Sequence, residues 1–365
     1  MNHSSLFSRR VWLGMAGCML VLAALPLLNL AFAEGHPLHV PSYLVSLIGK
    51  FMCYALAALA LDLVWGYAGI LSLGHGLYFA LGGYAMGMYL MRQIGHDGNY
   101  RSDLPDFMVF LDWKTMPWTW AGSASFVFQM FLVVAAPAVL SGVFGWFAFR
   151  SRIKGVYFSI ITQALTFAGM LLFFRNETGF GGNNGFTDFK RILGISIAAP
   201  STRMVLFVLT GLTLVAFYLL ARAIVHSKYG RVLQAIRDAE SRVMFTGYDP
   251  LKYKLSIWVL SAVMCGIAGA LYVPQVGIIN PSEMSPAASI EMAIWAAVGG
   301  RGTLVGPIIG AFFVNGAKSW FTQAFPEFWL YFLGALFIAV TLFLPRGIMG
   351  IKDRLKKEKG VEVKS

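Results

Sequence analysis

Long apolar stretches, separated by short polar segments, follow one another along almost the whole chain. A stretch of about 20 apolar residues is long enough to cross a bilayer as a helix. The pattern predicts ten transmembrane helices. Two of them are ambiguous: Lys50 near the start of the second span could shift that span to 51–71, and Pro286 and Glu291 interrupt the eighth. The predicted spans are 11–33, 45–65, 73–92, 126–149, 155–174, 204–225, 255–273, 284–300, 303–323 and 327–345.

Two of these stretches are broken by glycine. The segment 65–87 reads WGYAGILSLGHGLYFALGGYAMG and contains no Lys, Arg, Asp or Glu. Glycine costs about 1 kcal/mol relative to alanine inside a helix, so the pattern indicates either close helix packing or a broken span whose backbone lines a cavity. A second broken stretch, 299–307, lies between predicted spans eight and nine. Paired interrupted segments of this kind can mark a translocation path.

One polar segment has the periodicity of an amphipathic helix. Its apolar residues recur at three- and four-residue steps between 229 and 247. Gly247 is placed as a C-terminal stop, and Asp249-Pro250 as the N-cap and first residue of the next helix. The segment is either an ordinary helical loop or an element that docks a soluble partner. The apolar positions are Val232, Leu233, Ile236, Val243 and Met244.

Composition and charge agree with a membrane protein and predict its orientation. Of 365 residues, 58% are hydrophobic and 13% are charged, against about 25% charged in globular domains. The net charge of +12 is concentrated in a few segments, as expected of cytoplasmic loops rather than of nucleic-acid binding. The basic residues predict a cytoplasmic N-terminus (1–10), a cytoplasmic segment 226–254 and a cytoplasmic tail (346–365), leaving 93–122 and 175–203 as external loops of a transmembrane domain over 11–345. Segment 175–203 conflicts with the rule, because it holds four basic and two acidic residues.

The first apolar run could be a signal peptide or a retained helix. Ala31-Phe32-Ala33 resembles a signal-peptidase site, but the run from Val11 to Phe32 is longer than the roughly 7–15 residues of a signal core. The length favours a retained helix over a cleaved signal.

The chain lacks the motifs of an enzyme or an ATPase. It contains no GxxxxGK[ST] phosphate loop, no HExxH and no GxSxG. Cys18, Cys53 and Cys265 each lie in an apolar run, which indicates packing rather than a metal site or a disulfide. No cofactor is expected. Asp62 and Glu291 are acids inside predicted spans; we expect Asp62 to bind the broken backbone near Gly66, and Arg301 to be a possible partner of Glu291.

Four segments together resemble a known transporter family. They are GYAGILSLGHGLYFALGGYAMG, GGNNGFTDF, YGRVLQAIRDAESRVMFTGYDPLKYKLSIWVLSAVMCGIAGALY and VGGRGTLVGPIIGA. They look like the permease subunits of branched-chain amino-acid ABC importers, the LivM-like family, over about 61–347. The segments 103–122 and 175–185 look more like the urea-importing, UrtC-type branch.

The resemblance implies a fold, a set of partners and a coupling site. The fold would be an all-α polytopic permease of the ABC importer type in a bacterial inner membrane, with broken glycine-rich segments. The partners would be a second, related permease in a heterodimer, two cytoplasmic ABC ATPases that hydrolyse ATP, and a periplasmic or extracellular substrate-binding protein. By analogy, 229–247 carries the coupling helix, with Gly230, Arg231, Ala235, Arg237, Asp238, Glu240 and Gly247 as its coupling residues.

The polar residues of the predicted spans favour urea as the solute. Urea is small, planar and neutral, so its path needs neutral hydrogen-bonding groups. Fixed charge within the spans is limited to Asp62, Glu291 and, depending on where the second span begins, Lys50. A branched-chain or other amino acid, and a self-contained channel or secondary transporter, remain the alternatives. His75 could also bind a broken backbone, and the Asn183-Asn184 segment could be a tight turn. The candidate path residues are His75, Thr162, Gln163, Asn183 and Asn184.

Overall fold

The computed structural model describes residues 9–32, 35–343 and 347–350. Most of them are helical, and six described helices are long and apolar enough to cross a membrane. The predicted all-α polytopic class is therefore confirmed. The helices are α1 (Arg9–Ala31), α2 (Ser42–Asp62), α3 (His75–Arg92), α4 (Asp106–Phe110), α5 (Phe126–Arg150), α6 (Val156–Phe174), α7 (Pro200–His226), α8 (Lys228–Phe245), α9 (Pro250–Val276), α10 (Pro286–Gly299), α11 (Val305–Ala324) and α12 (Trp329–Phe343).

Each of the ten predicted spans coincides with one of these helices to within a few residues. The second span begins at Ser42, before Lys50, which excludes the alternative start. Four of the ten, α3, α10, α11 and α12, are not among the six long apolar helices, so the number of crossings stays a prediction. The calls on residues 1–8, on Ala33 and on most of the tail lie outside the described residues.

Helices α2, α3 and α9 form the centre of the molecule. Within the segments that contain α2 and α9, an apolar stretch of 18 residues is two-thirds buried in each case, and α3 is buried along nearly its whole length. Gly82 lies against the backbone of Gly266, and Gly269 against that of Phe79, so closely that neither glycine has room for a Cβ. Close helix packing is therefore the reason for these glycines.

Both predicted glycine-rich stretches, 65–87 and 299–307, contain a break in the helical structure. Helix α2 ends in a π-helical turn at Leu63–Tyr67, and 69–74 is not helical before α3 starts at His75. A second non-helical stretch, 300–304, separates α10 from α11, with positive φ at Gly300, Gly302 and Leu304. The two breaks meet, because a Cβ on Gly66 would lie 2.7 Å from the Gly302 backbone.

The described residues include four very short strands, three between α6 and α7 and one just after α9. β1 (Phe186–Thr187) pairs antiparallel with β4 (Ile278–Ile279), which joins the GGNNG segment to the chain just after α9. β2 (Arg191–Ile192) and β3 (Ile195–Ser196) form a hairpin before α7.

Candidate translocation cavity and coupling surface

The amphipathic helix predicted over 229–247 is confirmed as α8. Ser227 caps its start by accepting the Gly230 N–H at 3.2 Å, and Gly247 follows its end with a φ of +86°. Asp249 caps the next helix by accepting the Leu251 N–H at 3.1 Å. One feature differs from a regular helix: Ala239 has a φ of −157° and a ψ of 73°, which divides α8 into two parts.

The two faces of α8 have different chemistry. Leu233, Ile236 and Val243 are buried against the bundle. At the C-terminal end, Met244 and Phe245 are apolar yet 46% and 91% exposed. The sequence pattern had assigned Met244 to the buried face, and Phe245 received no role.

Arg237 contacts the membrane domain, although its side chain is 37% exposed. Its guanidinium donates to the Gly66 carbonyl at 2.7 Å and to Asp238 Oδ1 at 2.9 Å. Its side chain also packs against Gly69, where a Cβ would lie 2.5 Å from the Arg237 Cγ. Arg237 thus ties α8 directly to the first broken segment.

Glu240 makes a second tie between α8 and the bundle. Its carboxylate accepts from the Lys154 Nζ at 2.7 Å and from the Lys254 Nζ at 2.6 Å. Burial raises the pKa of Glu240, but the hydrogen bonds and charges of the two lysines outweigh it and lower the pKa. The carboxylate therefore stays ionised and joins α8 to the α5–α6 turn and to the start of α9.

The seven predicted coupling residues thus fall into two groups. Gly230, Arg237 and Glu240 contact the bundle, and a Cβ on Gly230 would lie 2.4 Å from the Ile224 carbonyl. The others, Arg231, Ala235, Asp238 and Gly247, are exposed, as is part of Arg237.

Asp62 holds the two broken segments together. It is fully buried, and its carboxylate accepts the Gly302 N–H at 2.6 Å and the Leu304 N–H at 3.1 Å. The expected structural role, bonding to broken backbone, is confirmed. The backbone it binds belongs to 302–304, however, and not to the expected stretch around Gly66.

His75 lies deep in the bundle. Its Nδ1 is 2.9 Å from the Ser72 Oγ, and its Nε2 is 2.9 Å from the Ser261 Oγ. His75 is the first residue of α3, and Ser261 lies roughly 16 Å along α9 from Pro250, at 1.5 Å per residue, so α3 begins deep in the bundle. Both ring nitrogens are engaged by serine hydroxyls, one of them from the first broken segment and neither by backbone, which favours a structural role for His75.

The other predicted path residues do not gather into one site. Thr162 accepts the Leu73 N–H at 3.1 Å and donates to the Ser159 carbonyl at 2.8 Å, so it anchors the first broken segment. Gln163 is partly exposed on α6, and Asn183 and Asn184 are exposed in a 3₁₀ turn. None of these residues, nor His75, lines the polar cavity described next.

Two adjoining polar cavities lie along α2, α10 and α11. Their volumes are about 550 and 260 Å³, and they share Tyr54 and Lys318. The larger one also contains Lys50, and the smaller one contains Glu283 and Glu291. We call these two spaces together the polar cavity.

The charged groups of the polar cavity are arranged in pairs and chains. The Lys318 Nζ lies 2.8 and 2.9 Å from the two carboxylate oxygens of Glu291. Glu283 accepts from the Tyr272 hydroxyl at 3.0 Å, and Tyr272 is 3.4 Å from the Tyr54 hydroxyl. The expectation that Arg301 could pair with Glu291 is wrong. The Arg301 guanidinium instead lies 5.1 Å from the ring centre of Trp65.

The sequence contains a signal for this cavity, namely the ionisable residues within three apolar helices. Ionisable residues inside apolar helices usually face a water-filled cavity, and Lys50, Glu291 and Lys318 are such residues. Lys318 received no role in the sequence analysis. Fixed charge in the helices is therefore more abundant than the sequence reasoning assumed.

A protein-family model matches most of the chain. Residues 43–341 match the family described as branched-chain amino acid transport system / permease component. The chain belongs to this family. The match covers every helix from α2 onward that lines the polar cavity or contacts α8, so the chain is a membrane permease component and its relatives are transport subunits.

Individual relatives are distant but similar over most of their length. The high-affinity branched-chain amino acid transport system permease protein LivM of Escherichia coli K12 is 24% identical over 91% of this chain and 76% of its own. Its counterpart from Salmonella typhimurium LT2 is 23% identical over the same shares. The permease protein LivH of Escherichia coli K12 is 24% identical over 81% of this chain and 91% of its own. No solved structure matches the chain.

Proposed function

We propose that this chain is the permease subunit of an ATP-driven importer and that urea passes through its polar cavity. The observation that carries the proposal is the balanced set of charges in that cavity, where Lys50 and Lys318 face Glu283 and Glu291. A neutral solute can cross such a site without leaving an uncompensated charge in the membrane.

The hydrogen-bonding groups of the cavity suit an amide-like molecule. Urea offers four N–H donors and one carbonyl acceptor, and a buried polar group must find a partner for each. The carboxylates of Glu283 and Glu291 can accept N–H groups, while the Lys318 ammonium and the tyrosine hydroxyls can donate to a carbonyl. The resemblance of 103–122 and 175–185 to the urea-importing branch supports the same solute.

A branched-chain amino acid is the second candidate. The family description and the names of the LivM and LivH relatives support it. The cavity also contains both signs of charge, which an ammonium and a carboxylate could pair with. That reading requires the close Glu291–Lys318 pair to open for the solute.

The partners follow from the proposed role. The chain contains no phosphate loop, so ATPase subunits would supply the energy and would bind the exposed side of α8. A second permease, related to this one as LivH is to LivM, would complete the path, and a binding protein on the outer side of the bacterial inner membrane would deliver the solute.

Transport by the reconstituted complex tests the solute. The permease is purified with the subunits that accompany it, placed in liposomes with ATP, and assayed for uptake of radiolabelled urea in the presence of excess leucine. We expect ATP-dependent urea uptake that leucine does not suppress. Strong competition by leucine would instead assign the amino-acid function, and urea uptake without ATP would indicate a channel.

Variants of the cavity test the site. Replacing both members of the pair, Glu291→Gln with Lys318→Met, keeps the volume and removes two charged partners. A hydrogen bond to a charged group contributes about 1.5–3 kcal/mol, so we expect urea uptake to fall about tenfold or more. Lys114→Met is the matched control, because Lys114 pairs with Asp112 in an exposed loop. Equal uptake by the pair variant and the control would remove Glu291 and Lys318 from the path.

A further inference from the structure

A separate, apolar cavity lies between α5 and α7, with α9 behind it. Its volume is about 510 Å³, within the roughly 300–1,000 Å³ typical of small-molecule sites. Its outer side is formed by Val134, Val205 and Leu209, which are 41%, 65% and 48% exposed. These residues belong to helices long enough to span the membrane, so the cavity is a groove that opens towards lipid. We call it the α5–α7 groove.

One end of the groove is polar. Helix α7 begins there with Pro200, and Ala199 before it provides no side-chain cap. The first N–H groups of a helix have no partner within it, and Ser201 and Thr202 at this end both line the groove. Thr202 is only 8% exposed, and its hydroxyl has no hydrogen-bond partner. A buried hydroxyl without a partner is costly, which points to a bound group that supplies one.

A positive charge without an ion-pair partner lies beside this end, on Arg203, which does not itself line the groove. Segment 175–203 has more basic than acidic residues, against the expectation for an external loop. Two of its four basic residues are neutralised, since Arg191 lies 2.7 Å from Asp97 and Lys190 lies 3.6 Å from Asp188. Arg203, the residue after Thr202, makes no ion pair with any residue that the structure describes.

We propose that the α5–α7 groove binds an anionic phospholipid. The phosphate lies at the start of α7, near the free N–H groups of Ser201 and Thr202 and the Arg203 guanidinium, as anions do at helix N-termini. The Thr202 hydroxyl donates to an oxygen of the glycerol ester region. An acyl chain fills the apolar part of the groove, which a free phosphate ion would leave empty.

Binding can be measured directly on the full-length permease. The protein is purified in a mild detergent with the subunits that accompany it, and native mass spectrometry measures the affinity for phosphatidylglycerol and for phosphatidylethanolamine with the same acyl chains. We expect phosphatidylglycerol to bind more tightly. Arg203→Gln should weaken that binding about fivefold, the effect of one arginine near an anionic lipid. Arg175→Gln, at another exposed arginine of the same segment, should leave it unchanged.

A second pair of variants tests the apolar part. Val205→Trp fills the groove and should weaken the binding of both lipids, whereas Leu220→Trp, on a 40% exposed position of α7 outside the groove, should not. The proposal is overturned if the two lipids bind equally and Arg203→Gln has no effect. It is also overturned if Val205→Trp binds lipid as the parent does, or if inorganic phosphate alone displaces the bound lipid.

Discussion

Asp62 and Glu291 are both carboxylates within the apolar part of the chain, yet their surroundings differ. Asp62 is fully buried and satisfied by two backbone N–H groups. Glu291 is paired with Lys318 at the wall of a cavity. A group whose partners are all backbone stabilises the fold, whereas an ion pair that borders a cavity can exchange its partner for a solute.

This difference predicts that Asp62 acts on stability. Asp62→Ala leaves the N–H groups of Gly302 and Leu304 without their acceptor, and each unsatisfied buried group costs about 1–3 kcal/mol. We expect the unfolding midpoint of the purified permease to fall by several degrees. Asp103→Ala is the control, because the Asp103 side chain is 91% exposed. An unchanged midpoint for Asp62→Ala would contradict the role.

At the scale of elements, α8 is a short helix in two parts rather than one rigid rod. The bend at Ala239 lies between Arg237, which binds Gly66, and Glu240, which binds Lys154 and Lys254. The N-terminal part is thus tied to the first broken segment, and Gly66 in turn touches Gly302 of the second. Movement of α8 would reach both breaks through these contacts.

A proline tests this connection. At Ala239 the backbone is already non-helical, so we choose Ala235, an exposed residue in the regular part of α8. Proline inside a helix costs about 3 kcal/mol, enough to break so short an element, whereas Ala235→Gln is compatible with a helix. We expect Ala235→Pro to insert into the membrane but to lose ATP-driven uptake, and Ala235→Gln, which preserves the helix, to lose less of it. Normal uptake by the proline variant would refute the coupling role.

At the scale of the whole molecule, the charge distribution predicts that 226–254 is cytoplasmic and 93–122 external. The exposed residues Ser241 and Ala121 report on these two segments. Single cysteines at these positions are placed in a Cys18→Ser background, because Cys18 is exposed and the other two cysteines are buried. A membrane-impermeant reagent should label Ala121→Cys from outside and Ser241→Cys only from inside.

Labelling of both positions from the same side of the membrane would overturn this orientation. It would also move the polar end of the α5–α7 groove to the other leaflet. The ion pair between Arg191 and Asp97 already ties 175–203 to 93–122. The two loops must therefore lie on the same side, whichever side it is.

The local features of this protein were predictable from its sequence. The helix positions follow from the length of each apolar run, and α8 follows from its periodicity and from Gly247 and Asp249 at its boundaries. These signals depend on residues a few positions apart, because caps and helix faces are set by neighbours along the chain.

The candidate site depended on contacts between distant parts of the chain. Glu291 and Lys318 come from different helices, Asp62 reaches Gly302 across most of the sequence, and His75 lies deep in the bundle because its helix starts after a broken segment. Apolar periodicity shows which residues are buried but not which of them meet. The tertiary packing alone decided that the charged residues of α2, α10 and α11 share one cavity while the predicted amides do not.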